Sequence, residues 1–164
     1  LTPPSPQRFN LLSCFELTLG CDAQLLARLT HLGEQLGMQG IGEGTWQALM
    51  DAGVVTHLLD WLEVEPRQLK LAYGIGEVTA AALIEQFQVA RSRPFSAWLS
   101  ALGAPPGSES VRGDWDELAG YQREEWQAVS GVGRVRADAL VAFFSHPDVQ
   151  RMARQLQQAG VAGF

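Results

Sequence analysis

Lysine is nearly missing from this chain. Of its 164 residues 12 are Lys or Arg, Lys70 is the single lysine, and 18 Asp and Glu set the formal net charge at −6. That balance excludes a coat that holds nucleic acid through bulk positive charge. Cysteine is also scarce, with only Cys14 and Cys21, and two thiolates without a further ligand nearby do not complete the tetrahedral structural site that zinc prefers. No apolar run approaches the roughly 20 residues of a membrane span, so no membrane partner is expected. The start, "LTPPSPQRF", has no apolar stretch behind a basic end, which argues against a secretory signal and for a Pro-rich linker. Strand alternation bounded by turns is absent, apart from one short extended candidate near "RFNLLSCFEL". The five tryptophans are not interleaved with Lys or Arg, so a groove that stacks single-stranded bases is not expected.

What the chain does have is a phrase said three times. "GIGEGTWQALMDAG" starts at Gly40, "GIGEVTAAALIEQF" at Gly74 and "GVGRVRADALVAFF" at Gly131. Each sets two glycines one residue apart, Gly40 and Gly42, Gly74 and Gly76, Gly131 and Gly133. Each then runs into an apolar stripe at helical spacing: Trp46, Leu49, Met50; Ala80, Leu83, Ile84, Phe87; Ala137, Leu140, Val141, Phe144. A repeated supersecondary unit is the organising feature. The rest also reads as short helices. Asp22 stands where it can cap a helix carrying Leu25, Leu29 and Leu32, with Gly37 past its end. Thr56 can cap "HLLDWLEV", and Pro66, Pro94 and Pro147 suit first helical turns. The fold class expected is all-α, a tandem array of three clear units. A fourth, degenerate unit falls in "ALGAPPGSESVRGDWDELAGY", where two prolines remove backbone donors from the turn; it packs without binding. Residues 1–21 read as a linker and 22–164 as one domain.

A Gly-apolar-Gly turn that opens a helix suits an anion. Glycine lets another group approach the backbone closely. Ile41, Ile75 or Val132 can anchor the turn in the core, and the helix start offers unpartnered N–H groups at the positive end of its dipole. No lysine is needed. A small residue one turn into the helix leaves the hairpin room to fold back, which Trp46 denies to the first copy. These features resemble the helix-hairpin-helix motif of DNA-binding proteins, and the resemblance implies that hairpin amides hold duplex phosphates regardless of sequence. Charge orders the copies. No Lys or Arg occurs between Arg28 and Arg67, whereas residues 131–154 carry Arg134, Arg136, Arg151 and Arg154 against Asp138 and Asp148. Contact is expected at Gly131 and Gly133 with Arg134 and Arg136 beside them, then at Gly74, Gly76 and Thr79, then at Gly40, Gly42 and Thr45. Arg91 reads as a helix C-terminal residue complementing the dipole. Trp46, Trp61 and Trp98 read as core, and Trp115 and Trp126 as bridges between helices.

The order of these features, from "CDAQLLARLTHL" through "YGIGEVTAAALIEQFQVARSRPFSAWLSALG" to "VSGVGRVRADALVAFF" and "LQQAGVAGF", resembles the C-terminal part of bacterial NAD-dependent DNA ligases. The likeness spans residue 14 onward and is greatest to their short, B-type branch. It implies a domain that clamps duplex DNA near a nick, as a cytoplasmic, nucleoid-associated monomer whose partners are nicked duplex and the catalytic domains of the same polypeptide. NAD and Mg²⁺ are implied for a full-length ligase and no cofactor for this chain. The family's nucleophile lies in a Lys-x-Asp-Gly motif, and Lys70, in "QLKLAYG", does not match it; Lys70 reads as a solvated helix residue. Cys14 and Cys21 match the last two of the family's four zinc cysteines, so no metal site is expected beyond a remnant. Two other functions compete: a helical protein-interaction scaffold in a DNA repair complex, and a helix-hairpin-helix glycosylase using Asp148, whose surroundings in "SHPDVQ" lack the expected architecture.

Overall fold

A computed structural model describes residues 22–108 and 111–164; the Cys14 and Cys21 pair and the extended candidate lie outside them. Among the described residues no strand forms, and the chain is all-α. The elements are α1 (Asp22–Gln35), α2 (Glu43–Asp51), a 3-10 turn (Asp60–Glu63), α3 (Pro66–Leu69), α4 (Glu77–Arg91), α5 (Phe95–Leu102), α6 (Trp115–Ala119), α7 (Arg123–Gln127), α8 (Arg134–Ser145) and α9 (Pro147–Gln158). They fall into two compact units that divide between Ser92 and Arg93. The tandem helix-hairpin-helix pattern is present: α1 packs on α2, α3 on α4 and α7 on α8, each pair joined through one of the Gly-x-Gly turns.

In the first unit the apolar stripe of α1 is core, with Leu25, Leu29 and Leu32 fully buried. The helix stops at Gly37, whose φ of +68 turns the chain so that the Met38 N–H donates to the Gly33 carbonyl at 2.9 Å. Trp46 does not distort the first hairpin as its bulk suggests. Its indole is fully buried and stacks near Phe87, with centroids 6.1 Å apart. Space for it comes from α1: a Cβ on Gly33 would lie 3.4 Å from Trp46 Nε1. The small residue has moved to the opposite helix.

Thr56 does not cap an α-helix. Its N–H and hydroxyl both donate to the Asp60 carboxylate, at 2.8 and 3.0 Å, which leads into the short 3-10 turn. Trp61 fixes that turn by donating from Nε1 to the Leu58 carbonyl at 2.8 Å. Arg91 donates to the Leu62 carbonyl and so ties the end of α4 to the same turn. Pro66 and Pro147 open α3 and α9 as expected, while Pro94 stands one residue earlier, as the N-cap of α5.

In the second unit the interval without a Gly-x-Gly turn packs against the hairpin. Gly107 has a φ of +117, and a Cβ there would lie 2.7 Å from Val132 Cγ2, so this turn abuts the residue that anchors the hairpin at 131–133. Trp98 is fully buried, and two further tryptophans join helices: Trp115 of α6 lies 4.8 Å from Phe144 of α8, and Trp126 of α7 stacks on Phe144 at 5.6 Å and 20°. An ion pair between Arg123 and Asp138 also links α7 to α8.

Candidate functional site

The three Gly-x-Gly turns share one backbone. The first glycine is left-handed in each, with φ of +74 at Gly40, +81 at Gly74 and +83 at Gly131, a conformation that disfavours any other residue. The second glycine is different. Gly42, Gly76 and Gly133 are extended, with φ of −125, −97 and −89, and any residue adopts such angles. A Cβ on any of the three would meet no other atom within 4 Å. Neither strain nor packing requires glycine there; what it leaves is open access to the backbone.

That access leads to unpartnered donors. Each second glycine is the N-cap of the next helix, and its carbonyl accepts the first helical hydrogen bond, from Trp46, Ala80 or Ala137, at 3.1, 2.9 and 2.9 Å. The amides between, at 43–45, 77–79 and 134–136, have no intrahelical acceptor, and no side chain caps them. Four other helix starts among the described residues are closed by side chains, those of α3, α6, α7 and α9. Asp114 accepts from the Glu117 N–H at 3.0 Å, and the His146 ring accepts from Asp148 at 3.1 Å. Gln68 and Glu125 reach back to the Glu65 and Gln122 amides at 2.8 and 3.0 Å. The start of α5, behind Pro94, also lacks a side-chain cap.

Side chains separate the three mouths. The first helical residue is Glu43 in α2, Glu77 in α4 and Arg134 in α8. An acid at that position suits the helix and competes with an anion; an arginine does the reverse. Glu77 is partly offset by Lys70, whose Nζ lies 3.6 Å from its carboxylate, so Lys70 faces the second hairpin rather than open solvent alone. Arg136 donates to the Gly131 carbonyl at 3.0 Å, which folds its guanidinium over the hairpin at 131–133. Arg134 is exposed and, among the described residues, forms no ion pair. Thr79 is exposed and Thr45 half-buried. Arg28 belongs to none of these mouths: it is buried within the first unit, and desolvation lowers its pKa to about 10, leaving it a cation at neutral pH. The sequence alone did not single out Lys70 against Glu77, the missing caps, or the acid-to-base change at the first helical position; superposing the three repeats would have exposed the last.

Among the described residues no group of three or more His, Cys, Asp or Glu is placed to hold a metal ion, and no helix is long and apolar enough to cross a membrane. No family model matches the chain. It is similar over its whole length to the DNA ligase B of Pseudomonas putida (strain W619), with 41% identity across 167 aligned residues. The chain spans 30% of the length of that relative. This homology bears out the resemblance drawn from the ordered glycine units.

Proposed function

We propose that this chain is the non-catalytic, duplex-holding part of a ligase related to DNA ligase B, and that it grips DNA through hairpin backbone amides without reading sequence. One observation carries the reading: the three hairpin helices start with unpartnered amides behind a glycine that neither strain nor packing demands. Phosphate oxygens are the acceptors such a start favours. The hairpin of Gly131, Gly133, Arg134 and Arg136 binds most strongly. That of Gly74, Gly76 and Thr79 follows, and that of Gly40, Gly42 and Thr45 contributes least.

A whole ligase of this kind would use NAD and Mg²⁺, seal nicks and work on chromosomal DNA in the cytoplasm, acting as a monomer. The residues described here do not fit those groups. The chain has no Lys-x-Asp-Gly sequence and no metal-ligating cluster among its described residues, so adenylation and phosphoryl transfer belong to other domains of the parent. This chain supplies position. Holding the duplex by its phosphates presents the break to those domains.

The test is fluorescence anisotropy against nicked duplex, intact duplex and single strand, titrated across salt, with Gly133→Val alongside. Valine suits the extended backbone at 133, so the fold persists while its methyls cover the amides. Duplex binding with a clear salt slope, weakened by the variant, is expected. Salt-independent behaviour without DNA affinity would instead favour the protein-interaction scaffold.

A further inference from the structure

Five large apolar side chains are exposed among the described residues: Leu71 at 72%, Tyr73 at 96%, Val78 at 86%, Val89 at 39% and Val135 at 84%. Four of the five stand at hairpin mouths. Val78 and Val135 hold the same place in two different repeats, the second helical residue after the Gly-x-Gly turn. Neither contributes to a core, and valine is a poorer helix former than the straight-chain residues that usually fill exposed helical positions. The same unfavourable choice is therefore made twice, each time beside unpartnered amides; at the corresponding place α2 has Gly44.

A free phosphate offers such a mouth only oxygen. A nucleic-acid phosphate is esterified on both sides to sugars whose C–H faces are apolar, so charge on the amides and apolar surface beside them together match a sugar–phosphate backbone. We propose that Val78 and Val135 are sugar-contacting residues that pack against deoxyribose next to the bound phosphate, and that they favour DNA over RNA. A ribose 2′-hydroxyl set against valine methyl groups would lose its hydration without a partner. This inference rests on the duplex-binding reading above. It adds to it a ligand class and two residues that make no polar contact.

The test uses the whole chain with both valines replaced, Val78→Thr and Val135→Thr, which keeps side-chain shape and β-branching at exposed positions. Binding is measured by anisotropy to a DNA duplex and to an RNA duplex of matching sequence, each across salt. The DNA Kd should rise about three- to tenfold, the salt slope should stay as in the parent because no phosphate contact is lost, and the DNA-to-RNA affinity ratio should narrow. An unchanged Kd and ratio, with Gly133→Val still weakening binding, would overturn the sugar contact and leave the duplex reading intact. A lower salt slope would overturn it as well, by placing the effect on phosphates. A parent chain that binds no duplex would overturn both.

Discussion

The hairpins at 40–42 and 131–133 have the same backbone and opposite surroundings. In both, the first glycine is left-handed, at +74 and +83, and the second is an extended N-cap without a side-chain partner. In the later hairpin Val132 is buried, its N–H donates to the Val129 carbonyl at 3.1 Å, and Gly107 abuts its side chain. In the earlier one Ile41 is only half-buried, and the turn is steadied from outside by the Gln39 N–H, which donates to Gln86 of α4 at 2.9 Å. Glu43 stands at one mouth and Arg134 at the other. Backbone shape gives both turns the capacity to take an anion, while the neighbouring side chains decide how well one is received.

The largest effects concern what supports each turn. Trp46→Ala should destabilise the first unit by about 3–5 kcal/mol, because a fully buried indole leaves a void beside Gly33 that the helices cannot close. Urea denaturation followed by circular dichroism measures this. Gly107→Ala should destabilise the second unit by about 2–4 kcal/mol, since it adds both a left-handed strain and a contact with Val132. A change at Gly42, by contrast, should leave stability nearly untouched, and finding otherwise would mean the second glycines are structural after all.

Much of this difference is readable in the sequence, and the rest lies in side-chain partners that spacing alone does not reveal. The glycine spacing and the stripes at 80–87 and 137–144 are local, and Ala80, Leu83, Phe87, Ala137, Leu140 and Phe144 are all buried; Ile84 and Val141 are only half-buried. Trp46 reads in sequence as crowding its hairpin because the residue that makes room for it, Gly33, lies on another helix. Thr56 followed a capping pattern that the Asp60 carboxylate redirected into a 3-10 turn. Lys70 is exposed, as its reading as a solvated residue expects, and its contact with Glu77 across the turn adds to that reading. The room for Trp46 is a contact between helices, whereas the turn at Thr56 is set locally by a carboxylate four residues on. The ranking of the three mouths needed only the charges in sequence, and the geometry sharpens it without testing it.

Binding effects come next in size. Gly133→Val should weaken duplex affinity about 10- to 100-fold, as expected for the loss of one or two charge-assisted hydrogen bonds. Gly42→Val should weaken it less than about threefold, because Glu43 already disfavours phosphate at that mouth. Anisotropy on the two variants side by side measures the contrast. Equal losses would show that the hairpins share the load and that backbone geometry outweighs local charge.

The charge exchange is the most discriminating prediction, because it exchanges the difference itself. Arg134→Glu gives the later mouth the charge of the earlier one, and Glu43→Arg does the converse; both positions are exposed. If Arg134 neutralises one phosphate, its replacement should lower the slope of log affinity against log salt by about one unit and weaken binding several-fold at moderate salt. Glu43→Arg should strengthen binding by a smaller factor, since the hairpin at 40–42 lacks the pinning that Gly107 and Val129 give Val132. The helices should respond in the opposite sense: glutamate at the start of α8 is favoured by the dipole and arginine at the start of α2 is opposed by it. Thermal melts that move one way while DNA affinity moves the other would separate a residue placed for a ligand from one placed for the fold.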